Sequence, residues 1–393
     1  MLRRLGRLSL RPQRQRGPAL AQARVRLAPA LAELRARMQP YARDGLARAL
    51  SLLGATRPRR FARGALTAVT FHRVLPAERL RQYPLAGLAV TPEQLQAILG
   101  QLAQHFACAP LIDAYRSWQR QPGAERPALG ITFDDGSLDN YEHARPVLDR
   151  LGLKASFYIP VGLVEERRCP WHDRLGFALV RSAAAIRKRR ELDFEALLAP
   201  FGLSRSAFAA VLPADALTLA AQGVAAAKQL GAEPREQAIA ALERALGGDQ
   251  VPDWAGLMSW QQIRELGAQG HEIGSHSLTH PLLTDLDAEQ LEREVVRSRS
   301  QLADAAGCEV ASFCYPNGSY DTRALQAVQA AGYDCAVTTR WGLNRGGSAH
   351  ELLRCDMDYA RLQSRNGEFS AQRLWLRLSG LQPGLKSAPL YAV

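Results

Sequence analysis

Two adjacent carboxylates stand at the end of an apolar run in the first half of the chain. Asp134 and Asp135 follow the run at 129–133 and precede Gly136. Neighbouring side chains of a strand point to opposite faces, but where the chain turns at a strand's end both carboxylates can face one opening. Parallel barrels place their chemistry at such strand ends. Asp and Gly are also preferred turn residues, so this segment alone leaves both interpretations open.

A pair of histidines forms the second candidate for chemistry. His276 and His280 lie four residues apart in the segment HEIGSHSLTH, residues 271–280. If a strand ends near Ser275 and a helical turn follows, both imidazoles project to one side. Two neutral imidazoles and one carboxylate make a three-ligand metal site with open positions for water and substrate. The alternative is a surface pair on a polar loop. We interpret His271 as a structural residue at the start of the strand.

A Pro-Asn-Gly turn forms the third candidate. It occupies residues 316–318, after a short apolar run at 311–315. Such a turn can expose backbone N–H groups, and donors aimed at a developing oxyanion contribute on the order of 3 kcal/mol each. Because Pro-Asn-Gly is also an ordinary turn, the segment points to chemistry only in combination with the other two.

The elements that must position these residues alternate between strand and helix patterns after Gly64. The strand candidates are 68–75, 129–134, 155–161, 272–275, 311–315, 336–339 and 352–356. The helix candidates between them are 92–105, 140–151, 260–269, 288–306 and 320–331. This alternation predicts parallel βαβ units. Seven strands in one run favour an α/β fold built as a deformed (β/α) barrel.

The connection from Val161 to Gly256 is too long for one crossover. It is rich in Ala and Leu, with helical patterning at 216–230 and 235–246, and predicts a helical insertion. The expected organisation is an Arg-rich extension at 1–63, a barrel at 64–360 with the insertion at about 163–255, and a C-terminal extension at 361–393. Trp171 and His172 begin the insertion's first helix. A packing anchor is the favoured interpretation of these two residues, and a ligand-facing role is the alternative.

Residues 1–63 carry the positive charge of the chain. They hold sixteen arginines, no lysine, and the two acids Glu33 and Asp44, so this segment carries +14 while the whole chain carries +12. The remainder is nearly neutral, so we expect no nucleic-acid partner. Helical periodicity from Ala19 to Leu53 predicts a basic amphipathic segment, interrupted by prolines, of a kind that can lie on an anionic membrane surface. The alternative is a solvated extension or one docked on the body.

Composition excludes several classes of protein. The chain is 47% hydrophobic and 22% charged, unlike disordered or collagenous sequences. Its six cysteines show no C-x-x-C spacing, which indicates buried thiols in a reduced compartment. No run of 18 apolar residues predicts a membrane span, and the first 25 residues lack the apolar core of a secretory signal. We therefore expect a cytoplasmic protein, peripheral at the inner face of the membrane if the basic extension docks there.

Taken together, the three segments resemble the polysaccharide deacetylase family, whose shared domain is the nodulation-protein-B homology domain. The matching motifs are TFDDG at 132–136, SHSLTH at 275–280 and CYPNG at 314–318, with TFHRV at 70–74, LDNY at 138–141, PVL at 146–148 and KASFY at 154–158 in support. The resemblance covers roughly residues 65–162 and 256–358. It implies a deformed (β/α) barrel and metal-dependent hydrolysis of N-acetyl groups on amino sugars.

The resemblance also implies roles for individual residues. Asp134 is similar to the family's general base. The metal triad corresponds to Asp135, His276 and His280, with zinc as the expected ion and cobalt, nickel, iron or manganese as alternatives. The backbone N–H of Asn317 matches the position that helps to hold the oxyanion.

Two departures from the family pattern bear on activity. Cys314 stands where many members carry an arginine that orients the base. The last strand candidate, at 352–356, contains no histidine where many members carry a general acid. His72, at the end of the first strand, is the favoured substitute for the acid and Asp356 is the second candidate. That neither residue acts as the acid is the third alternative.

The resemblance thus predicts a hydrolase that removes an N-acetyl or N-formyl group from an amino sugar, with metal-activated water and an Asp base. The expected substrate is a glycan, or a lipid-linked or nucleotide-linked sugar made for a cell-surface polysaccharide. The alternative is a catalytically inactive glycan-binding protein that retains the fold, which the missing arginine and histidine motivate.

Overall fold

The computed structural model describes residues 40–189, 191–210, 213–383 and 385. Most of the predicted basic segment, residues 1–39, lies outside the described residues. The part that is described is helical over residues 40–52 (α1). Asp44 in α1 accepts hydrogen bonds from Arg373 Nε at 2.6 Å and from the Arg365 backbone N–H at 3.0 Å. This end of the extension is therefore docked on the C-terminal part of the chain.

The strands form a curled parallel sheet. They are β1 Thr67–Phe71, β2 Arg73–Val74, β3 Ala89–Val90, β4 Ala107–Ala109, β5 Ala128–Phe133, β6 Ser156–Ile159, β7 Glu272–Ser275, β8 Ser312–Cys314, β9 Cys335–Val337 and β10 Cys355–Asp356. Their order is β10-β1-β5-β6-β7-β8-β9, with β4 also on β5 and with β2 and β3 as a separate pair. A parallel bridge joins Val337 to Leu352, so the segment that ends in β10 contacts both β9 and β1. The predicted deformed (β/α) barrel is confirmed.

Helices fill most of the connections between these strands. After α1 they are α2 Pro58–Phe61, α3 Ala77–Leu80, α4 Pro92–His105, α5 Leu111–Arg120, α6 Arg145–Leu151, α7 Val161–Glu166, α8 Trp171–Lys188, α9 Phe194–Leu198, α10 Arg205–Ala210, α11 Pro213–Ala227, α12 Ala232–Leu246, α13 Trp260–Ala268, α14 Ala288–Glu292, α15 Ser298–Ala306, α16 Thr322–Ala330 and α17 Ala371–Leu378. The start of α4 agrees with its sequence, since Thr91 and Gln94 form a capping box and Pro92 occupies the first turn. Among the described residues, no helix is both long and apolar enough to cross a membrane.

A stack of phenylalanines fixes the strand ends that lead into the polar residues. Phe71, Phe133 and Phe157 lie on β1, β5 and β6, with ring centroids 5.3 and 5.1 Å apart. All three side chains are buried, and each contributes about 1.5–3 kcal/mol by leaving water. His72 directly follows the first ring and Asp134 the second. The apolar core thus sets the position of both polar side chains.

The insertion between β6 and β7 contains helices α8 to α12. It has a hydrophobic core of its own, in which Leu175, Phe194 and Phe208 are buried. At Gly223 of α11, an added Cβ would lie 2.6 Å from the Leu179 side chain of α8. Because real carbon atoms do not approach so closely, glycine permits this packing of the two helices.

A buried ionic network attaches the insertion to the barrel. Arg73 of β2 places Nη1 3.0 Å from Asp173 Oδ2 in α8 and 3.1 Å from the Ala255 carbonyl, where the insertion ends. Its Nε lies 2.8 Å from Asp139 Oδ2, and Tyr83 Oη donates to Asp173 Oδ1 at 2.7 Å. Breaking a buried pair of this kind costs about 3–5 kcal/mol, so the first turn of α8 is held firmly against the barrel mouth.

Candidate active site

Polar side chains from several strand ends meet at one mouth of the barrel. Asp134 and Asp135 follow β5, and His276 follows β7. Asn317 lies beyond β8, and His72 follows β1. Because all these strands are parallel, their carboxyl ends share one side of the sheet. The five residues line a single cavity of about 960 Å³.

The three residues of the predicted metal triad converge on one point. His276 Nε2 and His280 Nε2 lie 3.4 and 3.3 Å from the same oxygen, Oδ1 of Asp135. All three side chains are buried, and together they could hold a metal ion. Ligand distances of about 2.0–2.2 Å in a tetrahedral site place neighbouring ligand atoms about 3.3–3.6 Å apart. The spacing in this structure therefore fits a single divalent cation.

The surroundings of the two imidazoles shift their pKa values in opposite directions. His276 Nδ1 lies 2.8 Å from the Cys314 carbonyl, so an N–H there leaves the lone pair of Nε2 directed at Asp135. Burial, and then the neighbouring His276, lower the pKa of His280 well below its usual range. The lowered pKa of His280 favours the neutral imidazole that a metal ligand must be. Burial also lowers the pKa of His276, but Cys314 and the neighbouring carboxylates outweigh burial and raise that pKa well above its usual range, so a cation must displace a proton there.

The backbone around the site is strained. Among the described residues, five non-glycine residues have a positive φ. Four of them lie at the site, namely Asp135 (71°), Ser277 (63°), His280 (58°) and Asn317 (55°), and the fifth is Arg167. Each such conformation costs on the order of 1–3 kcal/mol and persists where surrounding contacts impose it. The left-handed conformation of His280 also replaces the helical turn that the four-residue spacing predicted.

Glu294 supplies the contacts that hold the histidine loop. Its carboxylate accepts hydrogen bonds from the Leu278 and Thr279 backbone N–H groups at 2.8 and 2.9 Å, and from Thr279 Oγ1 at 2.6 Å. On the other side of the loop, the Gly162 N–H donates to the Leu278 carbonyl at 2.9 Å. The loop is therefore anchored between α7 and the helical segment at 293–297.

Arg354, which the sequence interpretation did not select, holds the predicted base. Its Nη1 and Nη2 lie 2.7 Å from Asp134 Oδ1 and Oδ2 in a bidentate pair. It also donates to Thr70 and Thr132, and its Nη2 lies 3.2 Å from Cys314 Sγ. The expectation that the base lacks an orienting arginine is therefore corrected. Arg354 reaches Asp134 from the segment that closes the barrel. Cys314 occupies the position on β8 where many family members carry the arginine.

This arginine decides the charge of Asp134. Burial alone would raise the pKa of the Asp134 carboxyl, but the charge and the hydrogen bonds of Arg354 outweigh burial, with smaller contributions from His72 and His276. The pKa of Asp134 consequently lies below its usual range. A carboxylate that is ionised and not required by the metal triad is suited to accept a proton.

A second group of potential metal ligands competes for His276. Asp134, His276 and Cys314 also lie within 4.8 Å of one another. The Arg354 guanidinium contacts both Asp134 and Cys314, so a second cation between them would be repelled. Burial raises the pKa of the Cys314 thiol, which keeps it in the weakly ligating neutral form. We therefore prefer the group that contains Asp135.

The two candidates for a general acid occupy different surroundings. His72 Nε2 lies 3.8 Å from Asp134 Oδ2, and its side chain is 23% exposed at the cavity. Asp356 also lines the cavity, but its carboxylate pairs with the buried Arg377 guanidinium. The geometry favours His72, since Asp356 is engaged by another residue.

The oxyanion candidate is contacted by the insertion. Asn317 Oδ1 accepts a hydrogen bond from Lys228 Nζ at 3.0 Å, just beyond the end of α11. Its carbonyl accepts from Thr339 Oγ1 at 3.3 Å. Burial lowers the pKa of Lys228 to about 8. No motif marks this lysine, because it stands in an Ala-rich helical stretch.

The first helix of the insertion also reaches the site. His172 Nε2 lies 3.6 Å from Asp135 Oδ2, and its ring packs edge-on against His280 with centroids 5.5 Å apart. Trp171 lines the cavity beside it. The interpretation of both residues as packing anchors was incomplete. Both are largely buried, and they also face the site. His271, in contrast, is structural, since its Nδ1 accepts from the Ala155 N–H at 3.2 Å.

Fold and site together define a parallel α/β barrel with a paired carboxylate and an Asp-His-His cluster at its mouth. The sequence profile of the polysaccharide deacetylase family matches residues 222–336. This part of the chain is similar to that family, and the resemblance predicted from the motifs is confirmed.

Three proteins illustrate what the chain is similar to. The Bacillus subtilis protein YxkH, named as a polysaccharide deacetylase, is 29% identical over 82 residues, which span 21% of this chain and 29% of that protein. The structure of the Streptococcus pyogenes deacetylase PplD in complex with acetate aligns with a TM-score of 0.47 at 17% identity, over 74% of this chain and 92% of that one. IcaB from Ammonifex degensii aligns with a TM-score of 0.44 at 18% identity, over 74% and 90%.

Proposed function

We propose that the protein is a metal-dependent hydrolase that removes an N-acetyl or N-formyl group from an amino sugar. The observation that carries this proposal is the position of Asp134. It lies directly beside the Asp135, His276 and His280 cluster, yet it is held ionised by Arg354. A glycan-binding protein needs no ionised carboxylate next to a metal cluster. Arg354 also weakens one of the two reasons for the inactive alternative.

The residues divide the reaction among them. A divalent cation bound by Asp135, His276 and His280 would supply polarisation of the amide carbonyl and a lowered pKa for the attacking water. Asp134 accepts the proton of that water as its oxygen adds to the carbonyl carbon. The Asn317 N–H stabilises the developing oxyanion. His72 donates a proton to the sugar nitrogen as the C–N bond breaks, which yields the free acid and the amine.

The walls of the cavity favour a particular form of the substrate. Outside the polar cluster they are formed largely by apolar side chains, among them Leu80, Leu85, Leu88, Leu217, Ala221 and Val224. Sugar hydroxyls buried against such walls would lack hydrogen-bond partners, which is costly. We therefore place the amide at the polar cluster and an apolar part of the substrate against the walls. A lipid-linked amino sugar has this character.

Released acetate and formate provide the test. Metal-loaded protein is incubated with N-acetylated and N-formylated amino sugars as free, nucleotide-linked and lipid-linked forms. We expect hydrolysis, with the highest kcat/KM for the lipid-linked forms. If no form is hydrolysed by protein that binds metal stoichiometrically, the inactive glycan-binding alternative is correct. If the free sugars react as well as the lipid-linked ones, the interpretation of the apolar walls is wrong.

Substitution of His276 by alanine is expected to remove the metal. The imidazole supplies one of three ligands, and its loss leaves two, which do not form a stable structural or catalytic site. Elemental analysis of the purified variant, after dialysis against trace metal, measures the occupancy. His350→Ala is the matched control, because that imidazole bonds to the Tyr333 carbonyl away from the cavity. Full occupancy in His276→Ala would exclude this residue from the triad.

Substitution of His72 by glutamine is expected to lower kcat about 10²-fold or more while metal binding persists. Glutamine keeps the volume and polarity of the side chain but cannot act as an acid. Asp356→Asn is measured in parallel. A large loss there combined with normal rates in His72→Gln would assign the acid to Asp356 instead.

A further inference from the structure

The carboxylate of Asp135 has different neighbours at its two oxygens. Oδ1 faces His276 and His280 at 3.4 and 3.3 Å, which is the side on which we place the cation. Oδ2 faces His172 Nε2 at 3.6 Å. His172 does not belong to the group of side chains that converge on one point. His172 therefore approaches Asp135 at Oδ2, the oxygen on the side away from the proposed cation.

The position of His172 is fixed by its neighbours in sequence. Asp173, the next residue, is held by Arg73 and Tyr83 in the buried ionic network. Trp171, the preceding residue, packs edge-on against the His172 ring with centroids 5.8 Å apart and lies under the Arg235 guanidinium. A side chain clamped on both sides in this way has lost most of its conformational freedom before the site is used.

We propose that His172 is a positioning residue of the metal centre, which holds Oδ2 of Asp135 through its Nε2–H and so presents Oδ1 to the cation. The inference rests on the metal site of the proposed function. Metal-ligating side chains are commonly oriented by such hydrogen-bonded partners, and losing one weakens metal binding about 10- to 100-fold. A separation of 3.6 Å is slightly longer than a direct hydrogen bond, as is common at sites that tighten around their ligands.

Through His172, the helical insertion contributes a residue that positions a metal ligand. Asp135, His276 and His280 follow barrel strands, whereas His172 stands on α8. The ionic network that docks α8 thus also sets the orientation of a metal-binding carboxylate. The insertion is then part of the catalytic apparatus and more than a cover over the substrate.

Metal affinity measured by competition with a chromophoric zinc chelator tests the proposal without substrate. We expect His172→Ala to bind Zn²⁺ about 10- to 100-fold more weakly than the unmodified protein. His172→Gln retains an N–H donor of similar reach and should lose clearly less affinity than the alanine variant. His143→Ala is the matched control, because this partly exposed histidine contacts Arg79 and does not line the cavity. It should bind Zn²⁺ normally.

The outcomes separate this inference from the proposed function. Unchanged affinity in His172→Ala would overturn the positioning role while leaving the triad intact. An equal loss in the alanine and glutamine variants would also overturn it, because a donor alone would then not suffice. Thermal melting of the metal-free proteins shows whether either variant is unfolded. If the alanine variant is unfolded, the Zn²⁺ affinity of the glutamine variant decides the question. Failure of the unmodified protein to bind Zn²⁺ would instead contradict the proposed function.

Discussion

Replacement of Asp134 by asparagine is expected to reduce turnover about 10²- to 10⁴-fold while the protein keeps its full complement of metal. Asparagine has nearly the same shape as aspartate but cannot accept the proton of the attacking water. The metal triad is untouched, since its ligand atoms belong to Asp135, His276 and His280. Steady-state kinetics and elemental analysis on the same preparation measure the two properties together. Turnover at the unmodified rate would show that Asp134 is not the base.

Asp135→Asn is the matched control for this experiment. The neighbouring carboxylate has the same chemistry and comparable burial, but its oxygen faces the two histidines. Its replacement should lower metal occupancy as well as turnover. The contrast between adjacent residues therefore separates loss of the base from loss of the metal. If both variants retain metal equally, the division of labour between the two carboxylates is wrong.

Replacement of Arg354 by methionine is expected to act on both stability and activity. It leaves the Asp134 carboxylate buried without its cation, which costs about 3–5 kcal/mol in the free energy of unfolding. The pKa of Asp134 should rise, because burial favours the protonated form once the guanidinium is gone. Asp134 works only when ionised, so the acidic limb of the pH–rate profile should move to higher pH. Chemical denaturation and pH-dependent kinetics measure the two effects.

Three further variants define the role of Arg354. Arg365→Met removes an exposed arginine beside Tyr41 and should change neither the free energy of unfolding nor the pH–rate profile. Arg354→Lys keeps the charge but loses the bidentate geometry. Its stability and the position of its acidic limb should therefore lie between those of the methionine variant and the unmodified protein. The double variant Asp134→Asn with Arg354→Met should be more stable than the sum of the single changes predicts, because it leaves no unpaired charge. Additive losses would mean that the two residues are not coupled.

The parts of the site that could be predicted from sequence are those specified locally. A polar residue that directly follows a buried strand in a parallel barrel must lie at the carboxyl end of that strand. Asp134, Asp135 and His276 therefore follow from the strand pattern alone. The bounds of α4 were equally predictable, since the capping box and the first-turn proline mark its start. The backbone conformation of His280 was not, because its positive φ depends on contacts made to the loop by distant residues.

The contacts of Arg354 and His172 with the site could not be predicted for a different reason. Arg354 lies 220 residues from the carboxylate that it holds, and it reaches Asp134 only because the final strand segment returns beside β1. His172 reaches Asp135 only because Arg73 and Asp173 form an ion pair across 100 residues of sequence. Neither contact leaves a periodic pattern or a spacing in the chain. Both depend on how separately folded segments are brought together.

The segment that closes the barrel is translated after the metal ligands, and this sets the order in which the parts of the site are made. The metal ligands are all translated by residue 280, but Arg354 follows more than 70 residues later. Until this segment is added, the Asp134 carboxylate lacks the guanidinium that outweighs the effect of burial on its pKa. Under the proposed function, the site would be complete only after the segment that contains Arg354 has joined the barrel beside β1.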